Sequence, residues 1–330
     1  MKKIAALLLF LPLLLTGCAG NFELDRELIV EAVGVDLAGD GVLLTVQALD
    51  AEAHPAGNEG SSDGAITEVR SAEGKTVAEA LEKIAADAGR EPVFSQNRLI
   101  VVGADAAREG RLRDVLDLFT RSFQLRNDSF LAAADRAEDI ISAEIGDGKI
   151  PAVRIWRILE TGGKSAVCAT VRLYEFINFL NDGTAAEYLP VLSLNEKKEP
   201  SLAGTMILNG GEPAAELNGE ETQLFALLTR GAKDGVVCAE YDAERFAFHL
   251  LRASPKIKRA GNGAVIRVEC LCDTAEISGG ETSEILKAPA AAEEAGRQLS
   301  QKANALLGKL AAAGVQMKGT AVEIDIRLRR

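Results

Sequence analysis

Leu15-Thr16-Gly17-Cys18 is the stretch of this chain whose residue types and order could do defined chemistry. A cysteine behind a leucine and two small residues, at the close of an apolar run, has the form of a lipoprotein cleavage site. Its thiol would take a diacylglyceryl group, with acyl chains such as palmitate, before cleavage leaves Cys18 as the new N-terminus. Lys2 and Lys3 supply a positive n-region and Ile4 to Leu15 an apolar h-region of twelve residues, as a secretory signal requires. A spanning anchor would need about 20 apolar residues, so this run is too short. At about 0.8 kcal/mol per buried methylene, two acyl chains make a stable tether.

The other reactive side chains point to less. Cys168, Cys238, Cys270 and Cys272 remain, with His54 and His249. Cys270-Leu271-Cys272 reads as a strand with both sulfurs on one face. Neither histidine stands at ligand spacing, so free or buried thiols are expected, one disulfide is the alternative, and no metal or cofactor is expected. The chain has no Gly-x-Ser-x-Gly elbow, phosphate-binding glycine loop, His-Glu-x-x-His or Cys-x-x-Cys. Leu306-Leu307-Gly308-Lys309 falls inside an expected helix without the upstream glycine of a P-loop, and Glu293-Glu294 reads as a solvated helix face. A non-catalytic protein is expected.

Arg121 and Arg126 stand five apart around the end of an expected helix. One reading has them capping helix carbonyls or pairing with a local acid such as Asp117 or Asp128. The other has one of them bound to a buried or partly buried carboxylate, fixing a junction between domains, so both are candidates for a structural or partner-binding role. The formal charge is -12 and becomes -14 once Lys2 and Lys3 are removed. Such a body is repelled by anionic headgroups and by phosphate backbones, which excludes nucleic acid and leaves the lipid as the route to a membrane.

The roughly 310 residues after the anchor exceed what one core usually serves, which predicts two or three domains. Asn21 to Leu28 reads as a tether, and Ile29–Leu37 with Val42–Leu49 as a β-hairpin. The polar residues 54–64 read as a loop, with a third strand at 66–71. Thr76-Val77-Ala78-Glu79 has the form of a capping box ahead of a helix to Ala88. Strands follow at 98–102 and 129–134, with a helix bearing Leu112, Val115, Leu116 and Phe119 between them. Further helices are read from Pro151 to Leu159 and on the stripe of Leu173, Phe176, Ile177 and Leu180. Glu196-Lys197-Lys198-Glu199-Pro200 reads as a linker. Beyond it come a strand at 204–208, a helix capped by Asn218 and Glu221, and strands at 236–239, 245–251 and 264–277. A long helix with Leu299, Ala303, Leu306 and Leu310 on one face precedes a closing strand of Val322, Ile324, Ile326 and Leu328. The fold class expected is mixed α/β or α+β, with mixed sheets packed by helices. The expected division is 1–17 signal peptide, 18–28 lipidated tether, 29–195 N-terminal region, 196–202 linker and 203–330 C-terminal domain.

Taken in order, several segments resemble the Ger(x)C family, the lipoprotein subunit of bacterial spore germinant receptors. They are Arg26-Glu27-Leu28, Gly34-Val35-Asp36, Leu44-Thr45-Val46-Gln47, Gly74 to Leu81, Asn97 to Gly103, and Leu116 to Arg121 followed by Leu125-Arg126-Asn127-Asp128. Tyr188-Leu189-Pro190, Gly204 to Ile207 and Leu217 to Thr222 continue the series. The chain departs from the family pattern at Ala19, where tryptophan is usual, and in the short passage from Gly314 to Thr320. The resemblance implies a multi-domain α/β protein without catalysis. It also implies membrane-embedded receptor subunits as partners and a place on the extracytoplasmic face of the inner spore membrane. The alternative function is a lipoprotein solute-binding component of a transporter.

Replacing Cys18 by alanine is expected to release the protein from membranes or leave an uncleaved precursor. Mass spectrometry that finds a fully active mature N-terminus without lipid would refute the assignment.

Overall fold

The structure, a computed structural model, describes residues 26–49, 67–121, 126, 128–144, 150–182, 186–260, 263–278 and 286–329. Cys18, most of the tether and the loop containing His54 lie outside the described residues. The fold is mixed α+β, with one ten-stranded and one four-stranded sheet and, among the described residues, eight helices.

The first sheet grows from the predicted hairpin of β1 (Glu27–Ala38) and β2 (Gly41–Leu49), with β3 (Thr67–Gly74) antiparallel on β2. Helix α1 (Val77–Ala88) starts where Thr76 Oγ1 accepts the Glu79 N–H at 3.2 Å, while the Glu79 carboxylate accepts from Lys75 N–H. It ends on Gly89 in the left-handed conformation, φ 64°. Next come β4 (Glu91–Val93), β5 (Leu99–Gly103), α2 (Ala104–Arg108), α3 (Leu112–Arg121), β6 (Phe130–Ala134) and α4 (Ala137–Ile141). They are followed by α5 (Pro151–Lys164), β7 (Val171–Arg172), α6 (Leu173–Asp182), β8 (Glu187–Leu194), β9 (Pro200–Asn209) and β10 (Glu212–Leu217). The strand order is β10-β9-β8-β6-β5-β1-β2-β3, with β4 beside β1 and β7 beside β6. β1, β5, β6 and β8 run parallel at the centre, flanked by antiparallel meanders on both sides.

Central parallel strands must be apolar on both faces, and these are. Val33, Val35, Ile100, Val102 and Leu131 face one core, whereas Ala32, Leu99, Val101 and Ala132 face a second beneath α4 and α5. The charged segment expected as a linker forms the turn between β8 and β9, where the Asn195 side chain accepts the Lys197 and Glu199 N–H groups. Charge and proline suit a tight surface turn as well as a linker. The strands that follow it, β9 and β10, complete the first sheet.

The second sheet, ordered β11-β12-β13-β14, contains β11 (Val236–Tyr241), β12 (Glu244–Ala260), β13 (Gly263–Ile277) and β14 (Ala321–Leu328). β12 runs well past the strand expected to stop near Leu251. Pro255 does not break it, because β11 pairs only as far as His249, a bridge from Ala232 reaches only Ala253, and the rest of β12 is an edge that tolerates a missing N–H. Between the sheets lies α7 (Gly219–Thr229), opened by a capping box in which Asn218 and Glu221 exchange hydrogen bonds. Leu224, Phe225, Ala226, Leu227 and Leu228 are all buried. One apolar core runs from Leu28 through this helix to Ile326.

Helix α8 (Ala288–Ala312) connects β13 to β14, which pair in parallel. Its apolar stripe packs as expected, but a second stripe of Gly296, Ser300 and Asn304 lies on the free edge of β14. Asn304 accepts the Val322 N–H at 3.0 Å and donates to the Val322 carbonyl at 2.9 Å, and Ser300 Oγ accepts the Ile324 N–H at 2.8 Å. A β-carbon on Gly296 would lie 2.7 Å from the Ile324 carbonyl oxygen, so glycine permits the approach. Val322, Ile324 and Ile326 are buried beneath.

Asn304→Ala leaves two backbone groups of a buried residue unpaired, at about 1–3 kcal/mol each. A melting temperature lowered by several degrees and faster hydrogen exchange at Val322 are expected. Unchanged protection at Val322 would mean that water replaces the side chain at no cost.

Candidate functional site

Several residues that carry the resemblance turn out to brace the first sheet. Asp36, buried in β1, accepts the Ala137 and Glu138 N–H groups at 2.7 and 2.8 Å and so holds the start of α4. Burial raises its pKa, and those two N–H groups act in the opposite sense. Gly34 lies under α4, where a β-carbon would come within 2.9 Å of Ile141. Gln47, buried in β2, donates to the Ile141 carbonyl at 2.9 Å and accepts the Ala152 N–H at 2.8 Å, joining the end of α4 to the start of α5. Glu31 is buried 3.4 Å from Arg98; burial raises its pKa and Arg98 counteracts this. Such bonds cross long sequence separations, so only the hydrophilic residue in an apolar strand signals them.

Arg121 and Arg126 take the local option. Arg121 binds Asp117 at 2.7 Å and Arg126 binds Asp128 at 2.9 Å, all four side chains being well exposed. Neither reaches a buried carboxylate. The arginine that ties the two sheets is Arg230, the residue after α7. It forks onto Glu175 at 2.9 and 3.2 Å and donates to Tyr188 Oη at 3.2 Å. Glu175 also accepts the Arg172 N–H at 2.9 Å, securing the start of α6. Tyr188 in turn donates to the Thr170 carbonyl at 3.3 Å and packs edge-on against Phe225. Burial opposes the Arg230 charge, but Tyr188 and Glu175 outweigh it and hold its pKa above the ordinary value. An arginine at a helix C-cap followed by glycine was the available signal.

Beside this clamp the sheets part around a cleft of about 780 Å³. Phe130, Lys164 and Arg172 line it from the first sheet and its helices, and Lys233 and Arg252 from the second. The segment after α7 is fixed there, since the Lys233 and Asp234 N–H groups donate to the Lys164 carbonyl at 2.8 and 3.1 Å. Gly231 (φ 73°) needs its lack of a side chain, because a β-carbon would lie 2.3 Å from the Ala253 carbonyl oxygen. The Arg172 guanidinium lies over the Phe130 ring at 4.5 Å and donates to the Asp128 carbonyl.

All four described cysteines are free. Burial pushes the Cys168 and Cys270 thiols up to about 12 and Cys272 to about 11, so they stay protonated and unreactive at neutral pH. Among the described residues, no group of three His, Cys, Asp or Glu side chains could hold a metal ion. No described helix is long and apolar enough to cross a membrane.

The class is therefore a mixed α+β protein whose ten-stranded and four-stranded sheets share one core. The crystal structure of the GerBC protein has this fold, with a TM-score of 0.50, covering 90% of this chain and 97% of that one at 15% identity. The chain belongs to the Ger(x)C family of spore germination proteins, its residues 21–194 matching the family model for the spore germination protein N-terminal domain. Among its relatives in Bacillus subtilis (strain 168), spore germination protein KC is 26% identical over 230 residues, 67% of this chain and 56% of that protein. Putative spore germination protein YfkR is 29% identical over 197 residues, 58% of this chain and 49% of that one. The chain spans about half the length of these curated relatives.

Arg230→Ala strands a half-buried carboxylate and is expected to cost about 2 kcal/mol, between the values for exposed and buried pairs. A thermal double-mutant cycle with Glu175→Gln should give a coupling energy near that size. Additive effects would show that the pair does not hold the sheets together.

Proposed function

We propose that the protein is the lipid-anchored, non-catalytic subunit of a spore germinant receptor. In this role it supports nutrient-triggered germination through contacts with membrane-embedded receptor subunits. The observation that carries the reading is the family match beginning at residue 21, three residues after the lipobox cysteine. Cys18 holds the chain on the extracytoplasmic face of the membrane, the inner membrane in a spore. The acidic body keeps the rest off anionic headgroups, so contacts fall to protein partners. Arg121 and Arg126, exposed with their local acids, are proposed partner contacts. The family model ends at residue 194, and we propose that the parts before and after this point are two sequence modules sharing one sheet.

Deleting the gene is expected to abolish or strongly slow germination in response to one class of nutrient, with wild-type protein restoring it and the Cys18→Ala form failing to. The tagged full-length chain, solubilised from spore membranes in detergent, is expected to bring down membrane-embedded receptor subunits. Normal germination of the deletion strain under every nutrient tested, together with no such co-purification, would sink the reading.

A further inference from the structure

We propose that the cleft between the sheets is a binding site for a small polyanion carrying two or more carboxylate or phosphate groups. This inference is independent of the anchor and of the receptor role. The chain has 37 basic and 49 acidic side chains, so an average patch of its surface would be acidic. The cleft is lined instead by five cations, Lys164, Arg172, Arg230, Lys233 and Arg252, and one acid, Glu160.

Local structure accounts for only part of that excess. Helices α5 and α7 both end at the cleft, and a cation at a helix C-terminus complements the partial negative charge there. That explains Lys164, which is also 3.5 Å from Glu160, and Arg230, which is engaged by Glu175. It does not explain the other three. Among the described residues, Arg172, Lys233 and Arg252 have no carboxylate at ion-pair distance; Arg172 donates to a backbone carbonyl and Arg252 to Ser254 Oγ at 2.9 Å. Arg172 lies in the field of the Asp128 carboxylate, but none of the three is ion-paired with a described residue, and a bound anion offsets the repulsion among cations that share one concavity.

Geometry narrows the ligand. Arg172 stands on the wall of the first sheet, whereas Lys233 and Arg252 stand on that of the second, so a ligand satisfying both walls needs at least two anionic groups. A volume of about 780 Å³ lies within the roughly 300–1,000 Å³ typical of small-molecule sites. Phe130, Ala232, Ala253 and Pro255 supply apolar wall that concentrates the field of the cations. The donors are already held in place, Arg172 by Phe130 and the Asp128 carbonyl, and the Lys233 segment by the Lys164 carbonyl. Guanidinium forks on both walls suit carboxylate or phosphate oxygens.

The test is calorimetric titration of the full chain in detergent at low salt with citrate, inorganic pyrophosphate and acetate. One saturable site for citrate or pyrophosphate is expected, weakened by added salt and weakened about tenfold or more in Lys233→Gln/Arg252→Gln. The tighter of the two polyanions identifies carboxylate or phosphate as the preferred group. Lys302→Gln, which removes a cation paired with Glu220 away from the cleft, should bind as the wild type does. Both substituted cleft residues are exposed, so the melting temperature should hold; if the double variant fails to fold, Lys233→Gln alone supplies the readout. The proposal is overturned if neither polyanion binds, if the cleft variant binds undiminished, or if acetate binds as tightly as citrate. Binding of a polyglutamate peptide but of neither small polyanion would overturn it in favour of an acidic protein segment.

Discussion

A stretch of helix with no polar face needs cover on every side, and the second half of α7 imposes that requirement on the whole molecule. After its capped first turn it presents Leu224, Phe225, Ala226, Leu227 and Leu228 in unbroken succession, all buried. A helix buried on one side only would keep a polar stripe for solvent. Here the first sheet closes on one side of the helix, while the second sheet and α8 close on the others, producing a core common to both. Polar bonds then fix the helix along its length. Thr222 donates to Thr205 on β9 at 3.1 Å, and Lys309 of α8 reaches Glu221 at 2.8 Å. Where α7 stops, the covering layers diverge, and Arg230 spans the gap that remains.

Much of this architecture can be read locally. Capping pairs mark the starts of α1 and α7, a period of two marks β14, and glycine and aspartate mark the β1–β2 turn, because each signal lies within a few residues of what it specifies. The linker reading of 196–200 illustrates the limit: the same residues suit a hairpin turn, and only the pairing of β8 with β9 decides. Choosing Arg121 and Arg126 over Arg230 has a similar cause. Arg121 and Arg230 both stand at helix ends, and the partner that distinguishes Arg230, Glu175, is 55 residues away. The cleft was illegible for the same reason, its walls coming from segments between Phe130 and Pro255 that meet only in the folded chain.

Family likeness also gains a physical content. Gly34, Asp36 and Gln47 read as pieces of a pattern, yet their mechanical roles differ. The glycine makes room for α4, the aspartate holds its start, and the glutamine joins its end to α5. Replacing any of them needs a compensating change in another segment. The fold itself is shared with the GerBC protein at 15% identity.

The side chains that α8 lays along β14 have a further consequence, for how copies of the protein meet. An unpaired strand edge is a template for a neighbouring molecule, and uncontrolled stacking of sheets is the common result. On β14 the backbone groups of Val322 and the N–H of Ile324 are already taken, which shuts that route. The outer strands of the larger sheet are guarded differently, β3 by Glu68, Arg70 and Glu73 and β10 by Glu212, Pro213 and Glu216. None of these three margins therefore offers a neighbouring molecule a clean row of backbone donors and acceptors to aggregate upon.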